Sequence, residues 1–139
     1  MAPLDWDHGA GLLAALALGA LIGLERQVRN HPAGLHTNAL VALGAAAYVI
    51  AGVLIGDNTG AARVAGQVVT GIGFLCAGLI WHRGGTVLGI NTAVTVWCSC
   101  AVGVLCGFGM LQWAAAVSVL VVLANILFHY VDHRSDGTQ

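Results

Sequence analysis

Asn91, Thr95 and Cys98 stand at i, i+4 and i+7, so a helix would carry them on one face, with Thr92 beside them. They lie in the stretch from Gly84 to Gln112, which holds no charged residue and should be oily if it crosses a bilayer. A polar face there must meet water, a ligand or another helix. Its chemistry is either recognition of a bound group or hydrogen bonding between helices, the latter worth roughly 0.6 kcal/mol per bond. Cys98 suits the second role least, because a thiol is a weak donor.

The charged candidates cluster at two elbows. Glu25 and Arg26 close the first apolar run, and Glu25 can pair with Arg29 one turn later. An interfacial ion pair is the plain reading. The functional one makes Glu25, Arg26 and Arg83 the rim of a vestibule, with Gln67 and Thr70 lining the same cavity. His129 and His133 have the i, i+4 spacing of a metal pair, but the glutamate of the HExxH pattern is missing, which favours a wet helix end. Cys98, Cys100 and Cys106 share one apolar segment without CxxC spacing and read, with Cys76, as reduced packing residues. Neither a Ser/His/Asp nor a Cys/His set can be assembled. The expectation is a protein that is not an enzyme and needs no metal or cofactor.

The elements that would position these residues follow from composition. The chain of 139 residues is 58% hydrophobic and 8% charged, with a mean hydropathy of +0.86. Apolar runs approaching the roughly 20 residues that cross a hydrocarbon core recur along it. They are continuous and do not alternate, which disfavours a β-barrel. The reading is an all-α polytopic membrane protein with five transmembrane helices at about 9–24, 39–56, 64–81, 90–107 and 111–131. Residues 132–139 then form a short tail with no C-terminal soluble domain. The acidic start (Asp5, Asp7) argues for a retained first span and against a signal peptide. That span is short, so Arg26 is expected to snorkel to the interface. Thr37 or Asn38 would cap the second span. Gly84–Gly89 should be loop or a partly re-entrant turn.

Net charge −1 without a basic stripe leaves no nucleic-acid footprint. Counting arginines beside the spans puts the N-terminus outside and the C-terminus in the cytoplasm, with Arg26, Arg29, Arg83 and Arg134 inside and Arg63 outside. Trp6, Trp81, Trp113 and Tyr130 fall at span ends, while Trp97 lies mid-span and should face protein or a polar cavity. Gly34-Leu35-His36-Thr37 and Gly89-Ile90-Asn91-Thr92 open the second and fourth spans 55 residues apart. They suggest a parallel repeat of two helical hairpins plus one extra helix, with chance similarity of two elbows as the competing account. The pairs Gly19/Gly23, Gly52/Gly56 and Gly103/Gly107 allow close helix contact, within one chain or across a homodimer.

GALIGLERQVR (Gly19–Arg29), AGLHTNALVALGAAAYV (Ala33–Val49), GIGFLCAGLI (Gly71–Ile80) and LGINTAVTVWCSCAVGVLCG (Leu88–Gly107) together resemble the membrane domain of the MgtC/SapB family. The resemblance covers nearly the whole chain in matching order. It implies a bacterial inner-membrane protein that supports growth under magnesium limitation and survival inside macrophages. Regulation of membrane energetics is implied, through binding and inhibiting the proton ATP synthase, with a small membrane peptide as another partner beside the lipid bilayer. The family's NTAxTxWC segment falls on Asn91, Thr92, Thr95, Trp97 and Cys98; its LER and AGLxT motifs fall on Leu24–Arg26 and Ala33–Thr37. Cys76 stands where the family usually has glycine, adding volume at a helix contact. A small ion or solute transporter using a polar intramembrane cavity is the alternative, and a purely structural glycine-packed protein is a third reading.

Overall fold

The computed structural model describes residues 6–55 and 58–135 and contains five long helices and one small hairpin: α1 (Trp6–Val28), α2 (Leu35–Ile55), α3 (Asn58–Gly78), β1 (Trp81–Arg83), β2 (Thr86–Leu88), α4 (Ile90–Gly107) and α5 (Leu111–Ser135). All five helices are long and apolar enough to cross a membrane. The all-α membrane architecture is the expected one, and most helices overrun the apolar spans that mark them. α1 starts at Trp6 and continues to Val28, α2 opens at Leu35, and α5 carries on through Asp132 to Ser135. The third helix is displaced toward the N-terminus, ending at Gly78 and leaving Trp81 outside it.

α2 and α4 form the centre. α1 packs on α2, α4 and α5; α3 packs on α2 and α4. α1 thus reaches across to α4 and α3 across to α2, and α5 lies against α1 and α4.

Close approach is bought with small side chains. Gly11, Ala15, Gly19 and Gly23 recur every four residues on the buried ridge of α1. A Cβ at Gly19 would lie 2.6 Å from the Asn38 carbonyl oxygen and 2.7 Å from Ala42 Cβ. One at Gly103 would run into the Ala42 backbone, and one at Gly107 would lie 2.7 Å from Val49 Cβ. Gly52 is likewise close to Ala61 and Val64 of α3. The glycine pairs are thus spent on contacts inside the chain; Gly56 lies outside the described residues. In lipid, van der Waals packing of this kind replaces the hydrophobic effect as the adhesive.

α1 stops at Asn30, whose φ of 56° places it in the left-handed region. His31 N–H donates to the Arg26 carbonyl and Asn30 N–H to that of Gln27, both at 3.0 Å, the pattern of a Schellman motif. The Gly84–Gly89 stretch forms the turn and second strand of a hairpin. Trp81–Arg83 pairs antiparallel with Thr86–Leu88, and Gly84 and Gly85, at φ 57° and 83°, make the two-residue turn that suits the strand twist. Every residue of both strands is exposed. Gly89 then opens α4 at φ 88°, where any side chain would strike the Leu79 carbonyl.

Gly103→Leu is expected to separate α2 from α4 and lower stability by about 1–3 kcal/mol. Gly73→Leu, at a position where an added Cβ meets nothing within 4 Å, should be close to neutral. Thermal unfolding of both variants in the same detergent checks the contrast.

Candidate functional site

Polar side chains from four helices converge where the C-terminal end of α1 meets the N-terminal halves of α2 and α4. Arg26 is 5% exposed, and its Nη2 donates to Thr92 Oγ1 at 2.8 Å. Asn38, fully buried, joins three elements. Its Nδ2 donates to the carbonyls of Ala33 at 2.6 Å and Gly34 at 2.9 Å, and its Oδ1 accepts from Ser99 Oγ at 2.8 Å. Ala33 holds a left-handed φ of 54°, costly for a residue with a Cβ, and the grip of Asn38 on its carbonyl helps to hold it there.

A second chain of contacts runs to α5. Asn125 Nδ2 donates to Glu25 Oε2 at 3.3 Å, and its Oδ1 lies 3.4 Å from the Thr95 hydroxyl. The Thr95 hydroxyl also donates to the Asn91 carbonyl at 2.9 Å, one turn back on its own helix. Glu25 Oε1 sits 2.8 Å from Arg29 Nε, an ion pair of the expected spacing whose geometry is not that of an aligned hydrogen bond. Arg26 Nε is buried with no hydrogen-bond partner among the described residues. One carboxylate thus stands among two guanidiniums, and the Arg26 charge is met by a neutral hydroxyl.

Several expected residues sit elsewhere. Arg26 does not snorkel: it turns into the bundle, where Thr92 supplies an acceptor. Of the hydroxyl and amide side chains on α4, those of Thr92, Thr95 and Ser99 are buried and that of Asn91 is exposed, while Cys98 is half-buried. The inward polar face is therefore rotated by about one residue from the Asn91–Thr95–Cys98 stripe, and Asn91 contributes its backbone carbonyl. Trp97 does not face the interior either; it is 51% exposed on the outer ridge with Ile90 and Val94. Asn38 is no cap, since α2 begins before it, and Thr37 is exposed beside a small elbow pocket. Arg83 lies exposed in the hairpin and makes no ion pair with Glu25 among the described residues. Gln67 faces a separate groove between α2 and α3, and the exposed Thr70 hydroxyl donates to the Gly66 carbonyl. The vestibule rim is therefore not assembled by these side chains. Those of His129 and His133 lie outside the described residues. Cys76 fits its contact by donating its thiol to the Ala93 carbonyl, 3.3 Å away on α4.

The spacing argument missed Asn38 as an interior group, and Asn125 and Ser99 as partners. Asn125 had a signal: it interrupts an otherwise apolar run, as does Ser118, whose hydroxyl is buried without a partner among the described residues.

The match to known proteins spans this whole arrangement. The model of the MgtC family matches residues 12–134, which include every residue of the polar cluster. The chain belongs to the MgtC family. It is 52% identical over 121 residues to Protein MgtC of Brucella abortus (strain 2308), covering 86% of this chain and 51% of that protein. It is 51% identical over 124 residues to Protein MgtC of Salmonella typhimurium (strain LT2), covering 88% of this chain and 53% of that protein. The chain thus spans about half the length of the curated relatives it matches. No solved structure matches it. Together with the five apolar helices, this MgtC membership makes the chain a membrane protein.

Thr92→Val should strand the buried guanidinium of Arg26 and destabilise the bundle by about 1–3 kcal/mol. The double variant Arg26→Met/Thr92→Val should be milder than Thr92→Val alone, because removing both partners removes the desolvation cost as well. Unfolding of Thr92→Val, Arg26→Met and the double variant in one micelle system gives the coupling directly.

Proposed function

We propose that this MgtC-family chain works in the bacterial inner membrane, N-terminus outside and C-terminus inside, as a regulator that acts by contact and catalyses nothing. In this reading it serves adaptation to low magnesium and survival inside macrophages by binding and restraining the proton ATP synthase. The observation that carries it is that Arg26, Asn38, Thr92, Thr95, Ser99 and Asn125 bond to one another and to backbone. Groups committed in this way are poor ligands for a passing solute, which would have to break them one by one. A braced bundle instead presents fixed outer faces, such as the α4 ridge of Asn91, Val94 and Trp97, to a neighbour in the membrane.

The arginines support the orientation. Arg26 and Arg29 at the end of α1, and Arg83 before α4, lie at one end of the bundle, with Arg63 near the start of α3 at the other. Counted as a loop bias, the richer end is cytoplasmic.

Affinity capture of the tagged chain from native membranes, run beside flux measurements on the same preparation in liposomes, tests the reading. ATP synthase subunits should co-purify, and flux should equal that of empty liposomes. Solute flux above that of empty liposomes, without co-purification, would instead establish the transporter.

A further inference from the structure

Between α2 and α3 runs a groove of about 750 Å³ that is separate from the polar cluster. We propose that it holds one anionic phospholipid, with the phosphate against Arg63 and an acyl chain lying along α3.

The groove has the polarity of a lipid. Arg63, Gln67 and Tyr48 gather at one end, and the wall beyond them is apolar as far as Leu40 and Leu75. From Arg63 to Leu75 is twelve residues, about 18 Å along a helix. Half of a hydrocarbon core roughly 30 Å thick is about 15 Å, so the groove spans one leaflet. Arg63 stands about 7 Å inside the start of α3, within reach of the headgroup layer for a long side chain. It is exposed and makes no ion pair among the described residues. Among the described residues no carboxylate lines the wall. A phosphate therefore finds a cation, whereas the amine of a zwitterionic headgroup finds nothing, and a net-anionic headgroup is favoured.

The space itself is made by glycine. Gly44 and Gly71 line the groove, and an added Cβ at either would meet nothing within 4 Å. These contrast with Gly19 and Gly103, which are pressed against α2. A second copy of the chain is a poorer occupant: pairing α3 with α3 about a two-fold axis would bring two Arg63 side chains together with no acid between them among the described residues.

The full chain purified in mild detergent, and examined by native mass spectrometry, provides the test. Wild type should retain one phospholipid per chain and choose phosphatidylglycerol over phosphatidylcholine in mixed micelles. Arg63→Gln should lose that preference by about tenfold, the loss of one charge-assisted contact. Gly71→Leu, which fills the groove and favours helix, should lose the lipid while keeping its helicity by circular dichroism. Three results would overturn the proposal: no lipid on wild type, undiminished preference in Arg63→Gln, or wild-type retention in a folded Gly71→Leu. A lipid-free dimer that Gly71→Leu dissociates would do the same, assigning the groove to a second copy.

Discussion

A hydrogen-bonding group inside a bilayer has no water to turn to, and the Asn38–Ser99 bond is where this fold meets that constraint most sharply. Both residues are fully buried, and they belong to the two central helices. Their 2.8 Å bond needs backbones close enough for short side chains to touch, which small residues at the contact permit. Gly103, one turn beyond Ser99, leaves room for the Ala42 backbone, one turn beyond Asn38. Packing and polarity are thus one device: glycine brings the helices together, and the polar pair fixes their register.

From that centre the bracing spreads unevenly. Arg26–Thr92 ties α1 to α4, and Glu25–Asn125 ties α1 to α5. α3 is held by the Cys76 thiol and by an apolar cluster of Ala45, Ile72, Val96 and Cys100. It is also among the least buried helices. The bundle consequently has a locked part, α1 with α2, α4 and part of α5, and a looser flank that leaves the α2–α3 groove open. Function by contact would use the rigid faces, while the groove is suited to a component of the surrounding membrane.

Much of the fold was legible in the chain because apolar length is a strong signal and the charged elbows punctuate it. The Glu25–Arg29 pair also followed from spacing alone. The face of α4 did not. Asn91, Thr92, Thr95, Cys98 and Ser99 offer polar groups around more than one side of the helix, and two neighbouring stripes both satisfy its period. Only Asn38 and Arg26 across the contacts choose Ser99 and Thr92 over Asn91 and Cys98. Asn38 itself stood beside a helix start and looked like a cap. Arg26 was misplaced for a related reason: an arginine at a span end usually reaches for water, and a buried threonine partner 66 positions away in sequence leaves no local trace. Gly84–Gly89 was legible as a break between spans, but strands of only three residues on either side of Gly84-Gly85 are too short to show a pattern.

The inward orientation of α4 is the claim on which all of this turns, and oxygen accessibility of spin labels read along positions 90–101 in lipid nanodiscs tests it most directly. Positions 91, 94 and 97 should show strong collision with dissolved oxygen, while 92, 95 and 99 should be protected. Protection at 91 and 98 with free access at 92 and 99 would contradict the account, because the polar groups said to bind the helices together would then face the lipid.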